Sequence, residues 1–453
     1  MSIERTRPSP SPAGETPHGV LPFVAAQPLI DHHCHGVLSY PPGGQSLPVA
    51  RPTTETATVP GAQAGSPPEG CSPEPPDLAG LLNEADGAAV ADGMPFDSLA
   101  GLALRRWCPP LLGLPPHASA ASYQERRDAL GGDEVNRRFL GASGLAALCV
   151  DTGYTPADLL SPGETANFAG AAAFEVVRLE QVAESLARSG VSPADFPDAY
   201  RGALSKRVTT PSFGITVAGF KSIAAYRVGL ELDGRRPRDG EVVAAVSRWL
   251  GGAGGAGGAG GAGGAGRSKG TGGTGEAREM PPRLADELLH RFFIWCAADI
   301  GLPIQFHVGY GDRDIDLHRC NPLLLTGLLR ALEPTSVPVM LLHNYPYHRE
   351  AGYLAQVFPL VYADLGLATH NVGARSTALL GEALELVPLR KFLFSSDAFG
   401  LPELYYLGTL LFRQALSAFL SSRLDADDMS YADAERITRL IGEENARSAY
   451  RLP

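Results

Sequence analysis

Long apolar runs are missing from this 453-residue chain. No segment approaches the roughly 18 uninterrupted apolar residues of a membrane-spanning helix, so none is expected. The first twenty residues, MSIERTRPSPSPAGETPHGV, are polar and rich in proline, without the apolar centre and cleavage site of a secretory signal. Cysteine is scarce and irregular: six residues, at 34, 71, 108, 149, 296 and 320, form no CxxC pair. That pattern speaks for reduced thiols in a cytoplasmic protein rather than a disulfide framework. Positive charge is also short, with 38 Lys and Arg against 49 Asp and Glu, a net charge of -11. No broad attraction to phosphate backbones or anionic lipid follows, so neither nucleic acid nor membrane is expected as a partner.

What is present is 44% hydrophobic and 19% charged, enough for a large buried core. Two stretches break the globular pattern. Residues 41–77, beginning PPGGQSLPVARPTTETATVPGAQAGSPPEG, carry almost no large apolar side chains and read as a disordered insertion. Residues 251–278, built on GGAGGAGGAGGAGGAG, read as a flexible loop. Both GAGGAG and GTGGTG within this loop match GxGxxG, but the loop follows EVVAAVSRWL, whose apolar spacing is helical, whereas a dinucleotide loop must follow a strand. Residues 1–20 read as a disordered tail.

Eight short apolar runs occupy the remainder: LIDHHCH (29–35), ALCVDTGY (147–154), EVVRLE (175–180), ITVAGFKSIAAY (215–226), IQFHVGY (304–310), VMLLHNY (339–345), VYADLGL (361–367) and FLFSSDA (392–398). Several end in ionisable residues. Amphipathic stretches lie between them, such as RLADELLHRFFIWCAADIG, where Leu284, Leu288, Leu289, Phe292, Phe293 and Cys296 share a stripe and Gly301 ends the helix. The alternation predicts an α/β fold, a (β/α)8 TIM barrel spanning residues 21–453, with its site at the strand C-termini. Residues 78–140 are too long for one crossover and read as a helical excursion over the barrel mouth.

On a strand, residues two apart share a face, so His33 and His35 point into the barrel while His32 and Cys34 face the helices. His307 ends the fifth run, His343 the sixth and Asp397 the eighth, which brings five imidazole or carboxylate groups to one rim. The set predicts a divalent metal, with zinc the first choice and manganese, iron or cobalt able to use the same donors. Such a metal supplies hydroxide near neutral pH. Asp397 is placed to take the water proton and return it to a leaving amine, and His343 to orient the water or steady an oxyanion. Hydrolysis of an amide-like bond is the expected chemistry.

These residues, in this order, resemble the amidohydrolase superfamily. IDHHCH is similar to its D-x-H-x-H first strand, FHVG to its fifth, LLH to its sixth and FSSDAFG to its eighth, while GEENARSAYRL is similar to the closing signature of the amidohydrolase-2 group. GFKSIAAYRVGLEL, QFHVGYGDRDIDLHRCNPLLL and SSDAFGLPELYYLG resemble the FluG-type amidohydrolase domain, which in plants and fungi precedes a glutamine-synthetase-like domain. No glutamine-synthetase activity is carried over. In binuclear relatives a carboxylated lysine on the fourth strand bridges two metals, a role open to Lys221 beside two others: pairing with a substrate carboxylate, or a structural ion pair. With one metal, the resemblance implies His33, His35, His307 and Asp397 as ligands and His343 as a catalytic neighbour.

Arg227, Arg313 and Asp312 to Asp316 follow strands four and five on loops facing the mouth. Arg227 is the residue assigned to substrate, since a guanidinium fork suits a carboxylate. The expected activity is therefore hydrolysis of a C–N bond in a small, polar, carboxylate-bearing substrate. A metal-dependent decarboxylase on the same scaffold is the nearest rival, and a non-catalytic metal-bound scaffold a second. A homo-oligomer stays open, because nothing in the sequence marks an interface.

Overall fold

Seven of the eight apolar runs form the strands of one parallel sheet in the order of the chain: β1 Leu29–Cys34, β2 Leu145–Asp151, β3 Ala172–Arg178, β4 Val217–Ser222, β5 Ile304–Val308, β6 Val339–His343 and β7 Val361–Ala363. The computed structural model describes residues 19–39, 78, 80–82, 84, 94–155, 158–251 and 282–453. Residues 1–18 of the tail, the insertion at 41–77 and nearly all of the loop at 251–278 lie outside the described residues.

The eighth run closes the barrel without forming a regular strand. Leu393 N–H donates to Ala363 O at 3.0 Å, and His32 N–H donates to Phe394 O at 3.1 Å, so the segment bridges β7 and β1. Its ladder then breaks because the Asp31 side chain replaces a backbone acceptor. Ser396 N–H donates to Asp31 Oδ1 at 2.9 Å, and the Ser396 hydroxyl donates to the other oxygen. Pairing resumes with Asp397 N–H on His33 O at 3.0 Å and His35 N–H on Ala398 O at 2.9 Å.

Two apolar layers hold this frame. The larger lies between strands and helices and takes in Val177, Phe220, Phe306, Leu341 and the stripe Leu284, Leu289, Phe292, Phe293 and Cys296. The smaller fills the barrel, with Ile30, Cys149, Val176, Met340, Leu342 and, from the C-terminal helix, Tyr450. The helix Glu287–Ile300 starts where Asp286 accepts from the backbone of Leu288 and Leu289, and it stops at Gly301, whose φ of 83° suits glycine. The fourth run is shorter as a strand than its apolar length: β4 ends at Ser222, and Ala224–Arg227 form a single helical turn. Between β1 and β2 lie the helices Leu99–Trp107, Ala120–Leu130 and Gly132–Ser143.

β1 departs from simple alternation. Asp31 pairs with Leu148 but Cys34 with Val150, so β1 uses three residues where β2 uses two. This bulge corrects the placement of His32. Its ring does not face the helices; it packs inside against Tyr450, with Nδ1 2.9 Å from that hydroxyl. Cys34 faces the outer layer as expected.

Candidate metal centre

His33 and His35 from β1 and Asp397 from the eighth segment converge at the C-terminal rim. Their three donor atoms lie within 4.8 Å of one another. Asp397 Oδ1 is 3.0 Å from His33 Nε2 and 3.2 Å from His35 Nε2. Bonds of about 2.1 Å to a four-coordinate ion put donors roughly 3.4 Å apart, so the set fits a divalent metal after small adjustment. His33 is already oriented as a ligand, because its Nδ1 lies 2.8 Å from Gln305 Oε1, which keeps the proton there and the Nε2 lone pair toward Asp397.

His343 touches the other carboxylate oxygen, with Nδ1 3.4 Å from Asp397 Oδ2. Both of its ring nitrogens are buried without a hydrogen-bond partner, as is His307 Nε2. Orphaned imidazole nitrogens are costly, and they mark donors directed at something other than protein. His307 stands against His343, their ring centres 4.6 Å apart, and against Tyr226 at 4.5 Å. It lines the same cavity but is not one of the three converging donors.

Lys221 Nζ lies 3.0 Å from His33 Nε2, and no described carboxylate is within 4.0 Å of it in an ion pair. Burial pushes the Lys221 ammonium down to about 8. Burial also lowers His33, to about 4, and holds His307 and His343 well below the usual imidazole range. Burial alone would raise Asp397, but its histidine neighbours outweigh that and hold the carboxyl well below its ordinary value. An ionised carboxylate among neutral imidazoles is the charge state that binds a cation.

Close approach here needs unusual backbone. His343 (φ 68°), Asn344 (φ 59°) and Asp397 (φ 51°) occupy the left-handed region without being glycine, a strain that persists where surroundings fix it. The Asp364 carboxylate caps the first of these by accepting His343 N–H at 2.6 Å. Gly366 is required beside them, since a Cβ there would lie 2.7 Å from His343 Nδ1 and 2.8 Å from Ser395 Oγ.

The amidohydrolase family model matches residues 235–452. Protein fluG of Emericella nidulans is 26% identical over 95% of this chain and 46% of its own length, so the chain spans about half of that relative. Together these matches support an amidohydrolase-superfamily protein of the FluG type. A solved structure from Lactobacillus casei ATCC 334, assigned as a metal-dependent hydrolase, is 27% identical with a TM-score of 0.72, covering 95% of this chain and 96% of its own. Glucuronate isomerase from Caulobacter crescentus, 13% identical with a TM-score of 0.54 over 97% of both chains, shares the fold.

A cavity of about 340 Å3 lies above the converging donors. Asp397, His35, His343, His307 and Lys221 face it from the barrel, and Leu81, Leu82 and Glu84 from the segment after β1. Arg227 lines it as expected, held by one long contact from Nη2 to Glu184 at 3.4 Å, with Nε buried and unpaired. Asp312 and Asp314 line it too. Three residues went unassigned from sequence. Arg178, at the end of β3, bonds Asp151 through both Nε and Nη2 and lies over the Tyr154 ring. Arg283 joins Asp314 and Tyr226 O. His370 presents a buried, unpaired Nδ1. The strand-end position of Arg178, the same as that of Lys221, was the available signal. Tyr405 instead supports the site from behind, donating to His35 O, and His348 bonds Glu382 at 3.0 Å outside the cavity.

Proposed function

We propose that this amidohydrolase hydrolyses a C–N bond in a small, carboxylate-bearing substrate at a metal centre held by His33, His35 and Asp397. The observation that carries the reading is the meeting of three donor atoms within 4.8 Å under a cavity where both nitrogens of His343, Nε2 of His307 and Nδ1 of His370 lack partners. A divalent ion bound there, zinc being the first choice, brings the pKa of a coordinated water toward neutrality and polarises the bond under attack.

The chain's own groups divide the remaining work. Asp397 turns Oδ1 toward His33 and His35, which leaves Oδ2 to take the proton of the attacking water and pass it to the leaving amine. His343, beside Oδ2 and neutral through burial, hydrogen-bonds the reacting oxygen. Among the cavity's guanidinium groups, Arg178 is tied to Asp151 through Nε and Nη2, whereas Arg227 keeps an unpaired Nε and receives the substrate carboxylate. The segment carrying Leu81 and Leu82 keeps bulk water out of the mouth.

Elemental analysis of purified wild type and Lys221→Ala tests the centre. Two equivalents of metal falling to one or none would assign Lys221 as a bridge, one equivalent in both would leave it to the substrate or the scaffold, and no metal in wild type would overturn the reading. A panel of amino-acid amides then tests the chemistry. Release of ammonia or amine is expected, and carbon dioxide as the product would replace hydrolysis with decarboxylation.

A further inference from the structure

The closing stretch GEENARSAYRL, residues 442–452, contributes no atom to the cavity, yet two of its side chains reach the elements that carry the metal donors. Asn445 Nδ2 donates to Leu389 O at 2.8 Å and to Phe392 O at 2.9 Å, holding the start of the segment that leads to Asp397. Tyr450 enters the barrel from below and is 3% exposed. Its hydroxyl lies 2.8 Å from Gln305 Nε2 and 2.9 Å from His32 Nδ1.

The hydrogen bonds around that hydroxyl allow one assignment of protons. The Gln305 amide group donates its two hydrogens to His32 O, at 2.8 Å, and to the Tyr450 oxygen. Gln305 Oε1 is thereby turned to accept from His33 Nδ1. The Tyr450 hydrogen goes to His32 Nδ1, so His32 Nε2 donates to Asp364 Oδ2 at 2.7 Å. Asp364 Oδ1 accepts His343 N–H. One hydroxyl thus stands in the middle of a buried chain with His33 at one end and the turn at His343 at the other.

We infer that Tyr450 is a positioning residue for the metal centre: through Gln305 its hydroxyl keeps the His33 proton on Nδ1 and the Nε2 lone pair facing His35 and Asp397. This rests on the metal-centre reading above. Without the hydroxyl, Gln305 has an unpaired N–H and loses one of the three hydrogen bonds that orient its amide. A turned amide sets an N–H against His33 Nδ1 and drives the imidazole proton to Nε2, the atom a metal requires.

The test is Co2+ affinity, measured by titrating metal-free wild type and Tyr450→Phe against a competing chelator. Removal of such a supporting hydrogen bond is expected to weaken binding about 10- to 100-fold and to change the visible Co2+ spectrum. A Tyr450→Phe protein that melts earlier when metal-free but binds Co2+ as tightly as wild type would reduce Tyr450 to packing and overturn the inference. Because Tyr450 is assigned to act through Gln305, Gln305→Leu with Tyr450→Phe is expected to bind no more weakly than Gln305→Leu alone; independent losses that multiply would overturn it. Should Tyr450→Phe fail to fold, 15N spectra of histidine-labelled, metal-free wild type decide: the proton on His33 Nδ1 supports the inference, and the proton on Nε2 overturns it. Wild type that binds no Co2+ would instead bring down the metal-centre reading itself.

Discussion

His370 illustrates what burial does to a single ionisable group. Its Nδ1 has no partner, and burial lowers its pKa from 6.5 to about 4, against a smaller opposite pull from Asp397. The imidazole is neutral in both folded and unfolded chains above 6.5. As pH falls the unfolded chain binds the proton first, so stability declines between 6.5 and 4 and then levels off. The shift amounts to about 3 kcal/mol. In metal-free protein, His370→Gln is expected to remove about that much of the decline between pH 7 and 4, followed by urea denaturation at each pH. Parallel curves for the two proteins would show that His370 does not titrate as described. At this scale the sequence was readable where parity held: His33 and His35 share a face, and they meet Asp397. It misled for His32, because a bulge leaves no mark in the order of residue types and turns that one ring inward while Cys34 keeps its expected face. His307, though correctly brought to the cavity, stays outside the three-donor group, a difference of position that strand ends cannot specify.

Between elements, the excursion after β1 is tied to the barrel by charge as well as packing. Arg127, on the helix Ala120–Leu130, meets Glu403 on the helix Pro402–Asp425 at 2.7 Å, both side chains fully buried. Tyr123, one turn away, donates to the same Glu403 oxygen at 3.0 Å. Leu404, the next residue, lines the cavity. Removing one partner strands the other charge without solvent, so Arg127→Met is expected to cost about 3–5 kcal/mol in chemical denaturation. Adding Glu403→Leu is expected to recover most of that loss, and a double variant no more stable than Arg127→Met would refute the account. Elements were legible from their apolar periods where packing alone decides them, as in β5, β6 and the helix Glu287–Ile300. The eighth strand was legible as a run but not in its form, because the Asp31 side chain takes the place of a ladder carbonyl there. No local pattern announces that a residue near one end of the chain will cap a segment near the other.

For the whole molecule, closure of the barrel joins β1 to the eighth segment, and the proposed ion would bond to both sides of that seam. Its binding energy therefore adds to the stability of the entire fold rather than to one loop. Free metal at about 100 times its dissociation constant should contribute about 2.7 kcal/mol, provided the unfolded chain binds little. Buried thiols can report this. Cys149 lies inside the barrel and Cys296 on an outer helix, and burial raises both, Cys296 to about 12. Neither has a reactive thiolate in the folded protein near neutral pH. If both are exposed only when the barrel opens as a unit, metal at that concentration slows alkylation of each about 100-fold relative to the metal-free protein. Peptide mass spectrometry of timed samples reads the two sites separately. Slowing at Cys149 with none at Cys296 would mean that the outer helix opens by itself, with the seam and its metal still in place, and that the barrel does not unfold as one cooperative body.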